Sequence, residues 1–71
     1  MKTVILIRQT SEPFTDNERQ ETARILRALA ERVERLPYFS PGADMPLFDK
    51  NGDETGFCTV LTDTAVWRIA E

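Results

Sequence analysis

The 71-residue sequence contains no histidine and only one cysteine, and both facts restrict its chemistry. Without histidine there is no Ser-His or Cys-His nucleophile pair, no His-ligated zinc site, and no side chain of the kind that most often transfers protons near neutral pH. The single thiol, Cys58, cannot form an internal disulfide, and a lone cysteine is typical of a reducing compartment. We therefore expect a non-enzymatic, cytoplasmic protein.

Long apolar runs are also missing from the chain. Residues 4–7 form a run of four aliphatic side chains, whereas a membrane span needs about 20 apolar residues. We expect neither a secretory signal nor a membrane partner. A chain of this length buries only ~60% of the surface that its unfolded form exposes, so residues 1–71 are predicted to form one small domain.

The net charge is small and unevenly distributed. It is −3 overall, opposite in sign to a surface that neutralises phosphates, so direct nucleic-acid binding is not expected. Residues 15–36 hold five acids and five bases, whereas residues 40–66 hold five acids and one base, Lys50. These acids are either soluble turn residues that cap backbone donors or members of an acidic interaction surface.

One long amphipathic helix is predicted over residues 15–36. Thr15 is placed to act as the N-cap, with Glu18 as its capping-box partner, and Pro37 ends the helix. The apolar residues recur at steps of three and four, so this stripe is expected to face a sheet. It consists of Thr22, Ile25, Leu26, Leu29, Ala30, Val33 and Leu36.

The remaining patterns predict strands. Residues 4–7 indicate a first strand, either central in a small sheet or covered on both faces, and the prolines up to Pro46 indicate an irregular segment. The Asn51-Gly52 pair predicts a hairpin that joins residues 47–49 to residues 56–62. Residues 65–70 favour a last strand over a helical turn. The predicted fold is α+β, in the order β-α-β-β(-β), with one long helix on a three- or four-stranded antiparallel sheet.

The segment Asp49-Lys50-Asn51-Gly52-Asp53-Glu54 imitates the opening of an EF-hand calcium loop. The rest of the motif fails, because Glu54 stands where the sharp turn needs glycine and Val60 stands where a bidentate glutamate belongs. We therefore interpret this segment as a hairpin turn, and we expect neither a metal nor a cofactor.

No catalytic set is recognisable in the sequence. Asp53 and Glu54 are adjacent in a turn and point away from each other, and no base lies near Cys58 to lower its pKa. We expect Cys58 to be a packed core thiol. Tyr38 and Phe39 lie in a loop bounded by prolines, where they could project outward as anchors for a partner.

Two motifs carry a resemblance to short phage and prophage proteins. The helix reads E-x-A-R-I-L-x-x-L-A from Glu21, and the hairpin reads D-x-N-G-x-x-x-G from Asp49. The chain resembles small acidic phage proteins of this build, some of which are anti-CRISPR inhibitors that occupy the nucleic-acid groove of a Cas subunit. The resemblance implies the same function here.

The acidic segment and the resemblance together predict a phage-encoded inhibitor that acts in the host bacterial cytoplasm. Its acidic face would bind the basic nucleic-acid groove of a Cas subunit and block DNA binding. The alternative is a small structural or accessory phage protein, a monomer or weak dimer, that self-associates through a sheet edge or a helix flank. The residues predicted to contact the partner are Asp44, Asp49, Asp53, Glu54, Asp63, Tyr38 and Phe39.

Overall fold

The computed structural model describes residues 1–65, which form one helix packed on a three-stranded antiparallel sheet. This arrangement confirms the predicted α+β fold. Apart from Ala65, the predicted last strand at residues 65–70 lies outside the described residues. The elements are β1 (Lys2–Ile7), a short 3₁₀ helix (Glu12–Phe14), α1 (Glu18–Arg35), β2 (Asp44–Phe48) and β3 (Glu54–Leu61).

The longest strand, β3, lies in the centre of the sheet, which has the order β1-β3-β2. For the sheet that residues 1–65 form, the prediction that residues 4–7 are a central or doubly covered strand is therefore wrong. β1 lies at an edge, and its Ile5 side chain is 45% exposed. β3 takes the centre because the hairpin turn pairs it with β2 on one side, which leaves its other side for β1.

The helix begins later than its sequence signals predict. Thr15 does not cap α1; its N–H donates to the Glu12 carbonyl and closes the 3₁₀ helix. The chain then passes through Asp16 in a left-handed conformation (φ 62°), and Asn17 precedes the helix. The physical reason is the burial of Phe14, 1% exposed, which holds the 3₁₀ helix against the core and delays the first helical turn. The end of the helix before Pro37 is as predicted.

Pro46 lies inside β2, so the prediction of an irregular segment up to this proline is wrong. A proline fits a strand at the sheet edge, where its missing N–H faces away from the neighbouring strand.

The predicted hairpin turn is confirmed, since Gly52 has φ +86°. In β3, Gly56 has a different role, because a Cβ atom there would collide with the Leu6 carbonyl of β1.

The core lies between α1 and the face of the sheet formed by alternate residues of β2 and β3. Ile25 and Leu29 of α1 are 2% and 5% exposed. Leu26 is 41% exposed, so its predicted place in the buried stripe is wrong. The helix contacts the sheet through a narrow stripe over β2, and the flank of α1 that carries Leu26 remains in solvent. The buried core residues are Phe14, Ile25, Leu29, Met45, Leu47, Cys58 and Val60.

We predict that Leu29→Ala lowers the free energy of unfolding by about 2–5 kcal/mol, because it leaves a cavity beneath the helix. Leu26→Ala removes the same atoms from an exposed position and should change it by only about 0.5 kcal/mol. Urea denaturation followed by circular dichroism measures both. Equal losses in the two variants would contradict the observed packing of α1.

Candidate functional site

The hairpin turn between β2 and β3 is built around the carboxylate of Asp49. Asp49 Oδ1 accepts hydrogen bonds from the backbone N–H groups of Asn51 (2.9 Å) and Asp53 (3.1 Å). The Asp49 backbone closes the same turn, with its N–H donating to the Asp53 carbonyl and its carbonyl accepting from Gly52. The side chain thus replaces water as the partner of turn amides.

Asp49 is only 3% exposed, so it is not available to a partner. Burial by itself raises the pKa of Asp49, but the Ser11 hydroxyl, the Asp53 and Asn51 amides and the Arg24 charge together hold it below its ordinary value. The prediction that Asp49 belongs to an exposed acidic surface is therefore wrong. Its carboxylate is committed to the turn.

A second buried carboxylate, Glu21 in the first turn of α1, joins the helix to this hairpin. Glu21 is 5% exposed, and both of its oxygens accept hydrogen bonds from Arg24, at 2.8 and 2.9 Å. Glu21 Oε2 also accepts from the backbone N–H of Lys50 at 2.9 Å. Arg24 Nη2 in turn donates to the Phe48 carbonyl at 3.1 Å. We call Glu21 and Arg24 the clamp.

The clamp lowers the pKa of Glu21. The main cause is the hydrogen bond from Arg24; burial opposes it, and the Lys50 amide adds to the lowering. Sequence reasoning overlooked this pair. The available signal was the spacing, because Glu21 precedes the buried Ile25 and Leu29 by four and eight residues and therefore shares their helix face.

The exposed acids predicted to bind a partner lie mainly around one face of the sheet. Asp44 of β2 and Glu54 of β3 are both exposed, and they line a shallow cleft of about 540 Å³ on the face opposite α1. Asp53 is exposed in the adjacent turn. The full lining of this cleft is Asp44, Pro46, Glu54, Phe57, Thr59 and Leu61. We call Asp44, Asp53, Glu54 and this cleft the acidic sheet face.

The two aromatic candidates have different environments. Tyr38 is 67% exposed and lines a neighbouring cleft together with Asp44, so it adjoins the acidic sheet face. Phe39 is half-buried and packs against the hydrophobic core. The expectation that Phe39 projects outward is therefore wrong, since its ring covers the core.

Asp63 is exposed but its charge is paired. Its Oδ1 lies 2.6 Å from the α-amino group of Met1, beside the start of β1. The ion pair partly neutralises this carboxylate. Asp63 therefore contributes less to the local negative potential than Asp44 and Glu54, which have no ion-pair partner within residues 1–65.

The remaining reactive groups of the described chain do not form a chemical centre. Cys58 is 1% exposed, and burial raises the pKa of its thiol, as expected for a packed core residue. Among residues 1–65, no three Cys, Asp or Glu side chains lie together in a way that could hold a metal ion. Within the same residues, no helix is long and apolar enough to cross a membrane.

No protein-family profile, curated protein or solved structure matches this chain. The arrangement of side chains is consequently the main guide to function. It separates buried carboxylates that hold the hairpin, Asp49 and Glu21, from exposed carboxylates on the acidic sheet face.

We predict that Glu21→Gln lowers the free energy of unfolding at pH 7 by about 1–3 kcal/mol, because it weakens hydrogen bonds to a charged group. The pKa of Glu21 in the folded protein is below its ordinary value of 4.5. Its ionised form therefore stabilises the fold above pH 4.5, and this contribution is lost as the pH falls through the folded-state pKa. Denaturation at a series of pH values should show the variant and the wild type converging in acid.

The matched control is Glu34→Gln, which removes an exposed carboxylate from the same helix. It should leave the stability at pH 7 within about 0.5 kcal/mol of the wild type. A loss as large as that of Glu21→Gln would mean that helix charge, rather than the clamp, controls stability.

Proposed function

We propose that this chain is a non-enzymatic, phage-encoded inhibitor that uses the acidic sheet face to bind a basic groove on a nucleic-acid-binding subunit of a bacterial defence complex. The bound inhibitor blocks DNA from that groove in the host cytoplasm. The observation that carries the proposal is the cluster of three exposed carboxylates, Asp44, Asp53 and Glu54, on or beside the open face of the sheet. The resemblance to small anti-CRISPR proteins supplies the class of partner.

The exposed acids of the sheet layer are clustered, whereas the exposed charges of the helix are balanced. Asp44, Asp53 and Glu54 are exposed on or beside the open face of the sheet. On α1, exposed arginines at positions 19, 27 and 35 are matched by exposed glutamates at positions 18, 31 and 34. A basic partner is therefore attracted more strongly to the sheet face than to the helix face, so a modest net charge of −3 still orients the encounter.

The acidic sheet face also offers apolar contact. Pro46 is exposed between the two acids, and Phe48 on the same strand is 44% exposed. Tyr38 adds an exposed aromatic ring next to Asp44. An apolar centre with charged residues at its rim is the usual composition of a protein interface, whereas a DNA groove offers mainly phosphates and base edges. This composition favours a protein partner.

The test is DNA binding by purified Cas effector complexes of several CRISPR types, measured by mobility shift of labelled target DNA. The wild type should inhibit at least one complex, and less so as salt rises. The triple variant Asp44→Asn, Asp53→Asn, Glu54→Gln should inhibit about tenfold less at low salt, because it loses the charges that steer association. Asp49 is left intact because its substitution would disturb the turn.

The matched control is Glu18→Gln, Glu31→Gln, Glu34→Gln, which removes three exposed carboxylates from α1 and changes the net charge by the same amount. It should inhibit as well as the wild type. Equal loss in both triple variants would show that overall charge, not the acidic sheet face, determines binding. If no complex is inhibited by the wild type, the proposed function is wrong.

A further inference from the structure

The tip of the hairpin places a glycine directly after an exposed asparagine. Asn51 and Gly52 are both exposed, and Gly52 has φ +86°. Among residues 1–65, no atom outside the adjacent residues lies within 4 Å of the position that a Gly52 Cβ atom would occupy. The backbone nitrogen of Gly52 is therefore shielded neither by a side chain of its own nor by a neighbour on that side.

The side-chain amide of Asn51 is not held by hydrogen bonds. The backbone N–H of Asn51 donates to Asp49 Oδ1 at 2.9 Å, but among residues 1–65 neither Oδ1 nor Nδ2 of Asn51 has a hydrogen-bond partner. Asparagine is one of the chemically labile residues of proteins, because its side-chain carbonyl carbon, Cγ, can be attacked by the nitrogen of the next residue. In this turn the next residue is Gly52, which offers the least steric hindrance.

We propose that Asn51 is a site of spontaneous covalent modification, for which the chain itself supplies the nucleophile. The Gly52 nitrogen forms a bond to Asn51 Cγ, the bond from Cγ to Nδ2 breaks, and ammonia leaves with the proton of the Gly52 amide. Water then opens the resulting succinimide at either carbonyl, so that hydroxyl adds to carbon and hydrogen adds to nitrogen. One opening gives aspartate, and the other gives isoaspartate. The inference stands independently of the proposed function.

The hydrogen bonds of the turn oppose this reaction in the folded chain. Gly52 N–H donates to the Asp49 carbonyl at 2.9 Å, and Asp49 Oδ1 holds the N–H of Asn51. The Gly52 nitrogen has to leave its bond to the Asp49 carbonyl before it can lose its proton and turn toward Asn51 Cγ. The reaction therefore proceeds from a locally opened turn, and its rate follows the population of that open state.

The clamp helps to keep the turn closed. Glu21 Oε2 accepts the backbone N–H of Lys50, the residue before Asn51, at 2.9 Å. Asp49, on the other side of Lys50, is buried and hydrogen-bonded to the turn. A weaker clamp raises the fraction of open turns. It should therefore speed the modification of Asn51, although Glu21 lies on another element of the fold.

The two products change the hairpin in different ways. Aspartate at position 51 adds a carboxylate close to Asp53 and makes the net charge of −3 more negative by one. Isoaspartate carries the same charge but lengthens the main chain by one carbon. That carbon enters the loop that the Asp49 N–H and the Asp53 carbonyl close at 2.9 Å. The isoaspartate form should therefore be less stable than the aspartate form, which keeps the original main chain.

Incubation of the purified full chain in mildly alkaline buffer tests the proposal. Samples are digested with pepsin in acid, and liquid chromatography with mass spectrometry separates the aspartate and isoaspartate peptides from the asparagine peptide. Asn51 should convert to both products, whereas Asn17, which is also exposed but is followed by Glu18, should stay intact over the same time. The chain unfolded in guanidinium chloride should convert about tenfold faster than the folded chain.

Glu21→Gln should raise the rate in the folded chain about threefold, because the turn opens more often. The matched control, Glu34→Gln, should convert at the wild-type rate, and circular dichroism checks the fold of each variant. Equal rates for the folded and the unfolded wild type would overturn the control by the turn. An Asn51 that stays wholly intact in the folded chain after complete conversion of the unfolded chain would overturn the site itself. Both comparisons use the wild type alone, so they decide the question even if Glu21→Gln misfolds.

Discussion

The clamp between the buried Glu21 and the partly exposed Arg24 is the interaction on which the rest of the structure depends. It joins the first turn of α1 to a distant part of the chain. That part consists of the C-terminal end of β2, at the Phe48 carbonyl, and the hairpin turn at Lys50. A buried carboxylate is costly unless its oxygens are hydrogen-bonded, and here both oxygens accept from Arg24, with the Lys50 amide as a further donor. The clamp therefore fixes the direction in which the helix crosses the sheet.

The clamp and the other side-chain contacts of the fold decide which charges remain available to a partner. Glu21 and Asp49 are buried, and their carboxylates are hydrogen-bonded within the fold. The guanidinium groups of Arg24 and Arg32 donate hydrogen bonds to carbonyls of β2. The charges that remain exposed are the acids of the acidic sheet face and, on α1, arginines at positions 19, 27 and 35 with glutamates at positions 18, 31 and 34. The proposed binding therefore depends on where the exposed acids lie more than on net charge.

The sequence by itself determined the element types. The three- and four-residue spacing of Ile25, Leu29, Val33 and Leu36 specified an amphipathic helix. Pro37 specified the end of this helix and Gly52 specified the turn, because each depends on local backbone chemistry. Tertiary structure decided which strand is central, that Leu26 faces solvent, and that Asp49 is buried while Asp44 and Glu54 are exposed. These features depend on how far the helix reaches across the sheet and on the contacts of Glu21 and Arg24 with residues more than 20 positions away. Periodicity shows that a residue lies on a face, but only the packing of the whole chain decides whether that face is covered.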